Sequence, residues 1–272
     1  MTEEKLLLLT KQARRVRNLA LEGIYAAQSG HPGGSLSAAD VITYLYFDKM
    51  NVYPNNPAAE NRDRFVLSKG HCCPSLYAAL ALRGFFDVSE LYSLRKLGAM
   101  LQGHPDMKTI PGIDMSTGSL GQGVSAACGI AAELKRKHNP ARVYCMTGDG
   151  ESEEGQVWEA AMFAAHYKLD NLTLFLDFNC LQIDGDVRKV MNPTPLDEKY
   201  QAFGWHTAVI DGHDFAEIEK AVLEAEAVKD KPSVIICRTV KGKGVSYMEN
   251  AAEWHGKAPG EELYNTAKAE LA

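Results

Sequence analysis

An aspartate and an asparagine, placed 30 residues apart, offer the side-chain oxygens that a metal–phosphate site requires. Asp149 lies between two glycines in Gly148-Asp149-Gly150, and Asn179 lies in the segment FNCLQIDG. This separation is about the length of one strand–helix–strand crossover, so both residues can lie at the carboxyl ends of neighbouring parallel strands. Two hard oxygen ligands would then face one crevice.

A Mg²⁺ ion bridging a diphosphate is the chemistry that suits this arrangement. Mg²⁺ prefers about six oxygens, of which side chains usually supply only one or two. Asp149, Asn179 and a backbone carbonyl near Leu181 would be the protein ligands. The glycines beside Asp149 let the backbone approach phosphates, and a helix from about Glu154 would direct free N–H groups towards negative charge. Gly-Asp-Gly is also a common turn, and the pairing with Asn179 is what favours a metal site.

Five of the eight histidines have a glycine neighbour, a setting typical of surface loops that carry function. They are His31, His71, His104, His213 and His255. No HxxxH or HExxH spacing occurs, so these histidines do not form a zinc motif. Hydrogen bonding and proton transfer around a hydroxylated substrate such as a sugar would suit them. His213 is the exception, because DGHDFAEIEKAV predicts a turn and a helix whose N-cap is Asp214.

The composition argues against several classes of protein. A net charge of −6 argues against the basic surface of a nucleic-acid-binding protein. Six cysteines without a CxxC spacing predict free thiols in a reducing compartment. No apolar segment has the length of a signal-peptide core or a membrane span. We therefore expect a cytoplasmic protein that binds neither nucleic acid nor membranes.

Alternating helices and strands must position the candidate residues. Helical periodicity predicts helices at 4–28, 38–50, 72–84, 119–137, 154–168 and 214–228. Short apolar runs predict buried strands at 64–67, 142–146, 172–177, 206–210 and 233–238. The alternation predicts an α/β fold with a mainly parallel sheet covered by helices on both faces. Residues 1–272 are expected to form one domain, with 239–272 as a C-terminal extension carrying the His255 loop.

Two further glycine-rich loops stay ambiguous when only their residues are considered. The loop 116–123, STGSLGQG, lacks the Gly-Lys-Ser/Thr ending of a P-loop and fails the dinucleotide-binding pattern. The run 241–244, KGKG, is equally unspecific. Either a ligand contact or a tight turn into a helix would account for each loop.

Taken together, the motifs resemble the amino-terminal half of transketolase, a thiamine-diphosphate enzyme. The similar blocks follow one another in family order: SGHPGGSLS (29–37), RFVLSKGH (64–71), GHPD (103–106), TGSLGQG (117–123), GDGESEEG (148–155), NCLQIDG (179–185) and HGKAP (255–259). They cover nearly the whole chain. The resemblance implies the thiamine-diphosphate-binding domain of that family.

The resemblance also implies roles for individual residues. The Mg²⁺ ligands would be Asp149, Asn179 and the Leu181 carbonyl, with Ca²⁺ as an alternative metal. Residues in contact with the cofactor would be His71, Gly118, Ser119, Leu120, Gly150, Glu154, Asn179 and His255. The catalytic histidines would be His31 and His255 in the substrate channel and His104 facing the reacting carbon. Glu154 also matches a position near the subunit contact. Ser119 departs from the proline of many members.

Transketolases that the chain resembles usually continue into a pyrimidine-binding domain and a third, carboxyl-terminal domain. The resemblance therefore implies the N-terminal subunit of a split enzyme, assembled as α2β2 with a separate C-terminal subunit. That subunit would supply the glutamate that activates the cofactor, so the chain alone should be inactive. The expected reaction transfers a two-carbon glycolaldehyde unit from a ketose, or its phosphate, to an aldose.

Two alternatives remain open from the sequence. A related thiamine-diphosphate synthase or 2-oxo-acid decarboxylating subunit would share the Gly-Asp-Gly and Asn signature, although not the set of histidines. A non-catalytic cofactor-binding or scaffold subunit would also fit a chain without the activating glutamate. The sequence does not determine which ketose and aldose react.

Overall fold

The computed structural model describes residues 1–272, and a five-stranded parallel sheet lies at its centre. In chain order the strands are β1 (Arg64–Leu67), β2 (Val143–Gly148), β3 (Leu172–Phe178), β4 (Leu181–Gln182), β5 (Gly185–Asp186), β6 (His206–Asp211) and β7 (Ser233–Arg238). The sheet has the order β1-β2-β3-β7-β6, and every neighbouring pair is parallel. Strands β4 and β5 form a separate, short antiparallel pair.

Helices cover both faces of this sheet. In chain order they are α1 (Glu3–Ala27), α2 (Pro32–Tyr44), α3 (Cys73–Arg83), α4 (Gln122–Arg136), α5 (Gly155–His166), α6 (Val187–Val190), α7 (Leu196–Ala202), α8 (Phe215–Ala227) and α9 (Glu261–Glu270). Helices α1, α2, α3 and α8 pack on one face, while α4, α5 and α7 pack on the other. None of the helices combines the length and the apolar character needed to cross a lipid bilayer.

Strands β2, β3 and β7 are largely apolar because both of their faces are buried. In β2, Tyr144 and Met146 belong to the apolar cluster of one face, whereas Val143 and Cys145 belong to that of the other. Such continuous apolar runs are typical of parallel sheets covered on both sides. The predicted α/β fold with a mainly parallel, doubly covered sheet is confirmed.

Helix α2 begins at Pro32, six residues before the predicted start at 38. All 13 of its residues are buried, so no polar face marks its helical period in the sequence. Proline at the first helical position suits the start of a helix. Gly34 permits close packing, because a Cβ there would lie 2.5 Å from the Sγ of Cys72. Three helices, α6, α7 and α9, were not predicted.

The C-terminal segment 239–272 packs against the helices of the first face. Val245, Met248 and Trp254, together with α9, form a third apolar cluster with Leu21 of α1 and Leu36 of α2. The segment thereby crosses the start of α2, where His31 lies. This packing brings the His255 loop to the carboxyl edge of the sheet.

Candidate active site

A cavity of about 320 Å³ opens beyond the carboxyl ends of β1, β2 and β3. Open parallel sheets bind their ligands at this edge. Among the lining residues are His31, Lys69, His71, Gly118, Leu120, Asp149, Gly150, Asn179, Leu181, Lys241 and His255. The cavity therefore brings together residues from loops that are far apart in the sequence.

Asp149 and Asn179 directly follow neighbouring parallel strands, β2 and β3, as the crossover length predicts. The Oδ2 of Asp149 accepts a hydrogen bond from the backbone N–H of Cys180 at 2.6 Å, which joins the two loops. Its Oδ1 accepts from the N–H of Gly150 at 2.8 Å. The Oδ1 of Asn179 accepts from the N–H of Leu181 at 3.1 Å. All three expected metal ligands line the same cavity.

The carboxyl group of Asp149 is buried without a direct cationic partner. Its side chain forms no ion pair, and backbone N–H groups are its hydrogen-bond donors. Burial raises the pKa of Asp149 from its ordinary value to about 7, and the negative charge of Asp177 adds to this shift. A divalent cation would offset the cost of ionising this group. The carboxylate oxygen of Asp149, the amide oxygen of Asn179 and the carbonyl oxygen of Leu181 are hard metal ligands of the kind that Mg²⁺ and Ca²⁺ prefer.

No three His, Cys, Asp or Glu side chains come together in a metal-binding group anywhere in the chain. A metal beside Asp149 would therefore depend on amide and carbonyl oxygens as well as on one carboxylate. Mg²⁺ tolerates so few protein ligands because phosphate and water complete its coordination.

A buried ion pair fixes the orientation of Asn179. Asp177, at the end of β3, pairs with Lys69, and the Nδ2 of Asn179 donates to the Oδ2 of Asp177 at 3.2 Å. The hydroxyl groups of Ser37 and Thr239 also donate to this carboxylate. Burial alone would raise the pKa of Asp177, but the charge of Lys69 and these donors hold it below its ordinary value. The amide oxygen of Asn179 is thus left facing away from Asp177.

Glu151 holds three of the site's loops together, a role that the sequence did not indicate. Its carboxylate accepts hydrogen bonds from the hydroxyl group of Ser68 and the backbone N–H groups of Gly121 and Gly148. These donors belong to the loops after β1, before α4 and at the end of β2. Glu151 is 2% exposed, and burial raises its pKa. The loop 116–123 is therefore tied directly to the Gly-Asp-Gly segment.

Three of the predicted histidines meet in the cavity. His31 precedes Pro32 at the start of α2, His71 lies in the 3₁₀ turn before α3, and His255 follows another 3₁₀ turn. Their ring centroids are 5.2 to 5.5 Å apart. Burial, together with nearby positive charges that include Lys241, lowers the pKa of His31 to about 4 and that of His255 to about 3. The pKa of His71 is also well below its ordinary value. All three are neutral imidazoles at neutral pH.

Three other predicted residues lie outside the cavity lining. His104 is exposed and packs beside Gly118, where an added Cβ would lie 3.0 Å from the imidazole ring. Burial of part of the ring and the charge of Arg95 lower the pKa of His104. Ser119 and Glu154 are exposed side chains in the loops that flank the cavity. In the single chain these three side chains are open to solvent.

Lys241 also lines the cavity, although the run KGKG that contains it is unspecific in the sequence. Its side chain is buried, and its Nζ donates to the carbonyl of Leu181 at 2.9 Å and contacts the Nδ1 of His255 at 2.8 Å. Burial lowers its pKa to about 8. A Cβ on Gly33 would lie 3.0 Å from the Cγ of Lys241, so a larger residue at position 33 would crowd this side chain. Gly33 and Gly34, which follow His31 in the sequence, are the feature that could have indicated this close packing.

Residues 9–272 match the family described as transketolase, thiamine diphosphate binding domain. The chain belongs to the transketolase family. The resemblance recognised in the sequence is therefore confirmed.

Among related proteins, the chain is 49% identical to the 6-deoxy-6-sulfo-D-fructose transketolase subunit SqwG of Clostridium sp. (strain MSTE9), covering 97% of this chain and 96% of that protein. It is 40% identical to one of the apulose-4-phosphate transketolase subunits of Phocaeicola vulgatus, with 97% and 94% covered. The crystal structure of transketolase from Campylobacter jejuni superposes with a TM-score of 0.93 at 36% identity. That match covers 100% of this chain and 43% of the other.

Proposed function

We propose that this chain is the N-terminal subunit of a two-chain transketolase. It binds thiamine diphosphate through a divalent cation and takes part in the reversible transfer of a glycolaldehyde unit from a ketose, or ketose phosphate, to an aldose. The observation that carries the proposal is the convergence of the Asp149, Asn179 and Leu181 oxygens on a cavity that also holds three neutral histidines. The family match supports the cofactor.

The cation, Mg²⁺ or Ca²⁺, would be held by Asp149, Asn179 and the carbonyl of Leu181. A carbonyl oxygen has two lone pairs, so Leu181 can serve the cation while it still accepts from Lys241. Lys241 adds a positive charge beside the expected diphosphate. The other proposed cofactor contacts are His71, Gly118, Ser119, Leu120, Gly150, Glu154 and His255. When bound, thiamine diphosphate supplies the electron sink for breaking and forming the carbon–carbon bond.

The histidines would orient the sugar and move protons. His31 and His255, held neutral by burial, can each donate one hydrogen bond and accept another, which suits sugar hydroxyl groups. The catalytic role proposed for His104 is proton transfer at the reacting carbon, from its exposed position beside Gly118. The closely packed rings of His31, His71 and His255 would limit the access of water to the cofactor.

The partner in this proposal is a separate C-terminal transketolase subunit in an α2β2 assembly. Two relatives of nearly the same length are named as transketolase subunits, which supports a divided enzyme. Their names specify a sulfonated ketose and a ketose phosphate, so we propose a sugar substrate with an anionic group. We also propose that the protein lies in the cytoplasm, because its six unpaired cysteines fit a reducing compartment.

Reconstitution with the C-terminal subunit tests the function. Calorimetric titration of the mixture with thiamine diphosphate and Mg²⁺ should show binding, and activity should appear only on mixing. Asp149→Ala should abolish metal-dependent cofactor binding, whereas His104→Ala should slow turnover with less effect on affinity. Turnover of xylulose 5-phosphate but not pyruvate would separate a transketolase from a 2-oxo-acid decarboxylase. Normal cofactor affinity in Asp149→Ala would refute the assignment of the site.

A further inference from the structure

A buried chain of polar contacts links four segments outside the cavity. Arg17 of α1 donates to both carboxylate oxygens of Asp40 in α2 and also to the carbonyl of Leu36 at 3.1 Å. The Oδ2 of Asp40 lies 2.7 Å from the Nδ1 of His213, in the loop between β6 and α8. The Nε2 of His213 lies 2.9 Å from the backbone nitrogen of Val240, just beyond β7. His213 thus bridges the helical layer and the segment that follows the sheet.

The contacts define the proton positions on His213. The backbone N–H of Val240 can only donate, so the Nε2 of His213 must accept. The proton of the neutral ring is then on Nδ1, from which it is donated to Asp40. The bidentate ion pair with Arg17 keeps Asp40 in place, and both of these side chains are buried. The ring therefore has one orientation in which both of its nitrogens are satisfied.

Val240 lies between two residues that reach the metal site. The hydroxyl group of Thr239 donates to the carboxylate of Asp177, which in turn orients Asn179. The Nζ of Lys241 donates to the carbonyl of Leu181. Strand β7 ends at Arg238, so the N–H of Val240 has no strand partner and is held by His213 instead. Holding the N–H of Val240 in place therefore fixes the backbone from which the side chains of Thr239 and Lys241 extend.

We propose that His213 is a positioning residue for the cofactor site, acting through the segment Thr239–Lys241. It touches neither the cavity nor the expected metal ligands, and it acts by holding the N–H of Val240. The link to cofactor binding rests on the proposed function. The anchoring of the segment does not, and it can be measured in the chain without any cofactor.

Two substitutions separate the two contacts of the ring. In His213→Gln, the side-chain amide reaches the place of Nε2 and can present an oxygen to Val240. In His213→Asn, the amide reaches only the place of Nδ1, so it can donate to Asp40 but leaves the N–H of Val240 without an acceptor. Asp214→Ala is the matched control, because it removes the neighbouring N-cap of α8, whose Oδ1 accepts from Ala216 and Glu217.

The first measurement is hydrogen–deuterium exchange of the cofactor-free chain, in peptides covering residues 239–243. We expect faster exchange in His213→Asn than in the unmodified chain, and protection restored in His213→Gln. Asp214→Ala should lower the melting temperature without changing exchange in these peptides. Unchanged exchange in His213→Asn, or equally fast exchange in both His213 variants, would overturn the anchoring.

The second measurement is cofactor affinity in the complex with the C-terminal subunit. The loss of one buried hydrogen bond predicts an affinity for thiamine diphosphate that is about tenfold weaker in His213→Asn, with kcat at saturating cofactor little changed. The same substitution in a Lys241→Met background should have a much smaller effect. If exchange changes but affinity does not, the link to the cofactor is refuted. If the unmodified complex binds no thiamine diphosphate, the proposed function fails while the exchange result still stands.

Discussion

Replacing Asp149 by asparagine should improve the stability of the metal-free chain, relative to the unmodified chain, as pH rises, even though it destroys the proposed metal site. The group is 3% exposed, and its pKa is raised from 3.8 to about 7, first by burial and then by Asp177. The native state therefore keeps this proton over a pH range in which the unfolded chain has already released it. Stability falls as pH rises through that window, because the native state binds more protons than the unfolded state.

The size of this change in stability follows from the pH range between the pKa of Asp149 in the unfolded chain and its pKa in the native chain. Each pH unit between about 5 and 7 removes up to about 1.4 kcal/mol, so the difference between pH 5 and pH 8 is roughly 2–3 kcal/mol. The amide introduced by Asp149→Asn does not titrate, and it can accept from only one of the two backbone donors, at a nearly pH-independent cost of about 1–3 kcal/mol. The relative stability of Asp149→Asn should therefore improve by roughly 2–3 kcal/mol from pH 5 to pH 8.

Chemical denaturation of the metal-free chain at the two pH values measures this difference. Asp184→Asn is the control, because Asp184 is an exposed carboxylate in the turn between β4 and β5. Comparing Asp149→Asn with this control separates the loss of a buried carboxylate from the loss of an exposed one. A pH-independent difference between Asp149→Asn and the unmodified chain would refute the buried, unpaired carboxylate on which the metal assignment depends.

Three further results are expected from the same contacts. Lys241→Met should raise the pKa of His255, because the charge of Lys241 helps to lower it, and an NMR titration of the imidazole signals measures this change. Asp177→Asn should destabilise the chain by about 3–5 kcal/mol in urea denaturation, because it leaves the buried Lys69 without its ion-pair partner. Phe175→Ala, at a fully buried position of β3, should cost about 3–5 kcal/mol by the same assay. Changes below about 1 kcal/mol in either variant would contradict these contacts.

Much of the fold could be predicted because the sheet is buried on both faces. Its five strands appear in the sequence as short apolar runs, and the 30-residue interval from Asp149 to Asn179 matches the crossover between β2 and β3. Helix α2 was placed too late in the sequence because a wholly buried helix has no polar face. The N-cap predicted at Asp214 is confirmed.

Part of the candidate site could be predicted from residue type alone. Histidines beside glycines and a Gly-Asp-Gly segment are visible in the sequence, and most of these residues line the cavity. Glu151 and Asp177 were missed, and His213 was assigned only to a turn, because their partners are distant along the chain. The contact of Asp177 with Lys69 spans 108 residues, and that of His213 with Asp40 spans 173. No local pattern indicates such pairs, since they depend on how the layers pack.

A crystal structure of the complex with the C-terminal subunit, grown with thiamine diphosphate and Mn²⁺ in place of Mg²⁺, would test the proposed metal site most directly. Mn²⁺ prefers the same oxygen ligands and gives an anomalous signal that locates it. We expect an anomalous peak roughly 2.0–2.3 Å from the oxygens of Asp149, Asn179 and Leu181, in contact with the diphosphate. A bound cofactor with no metal beside these three residues would contradict the proposed metal site.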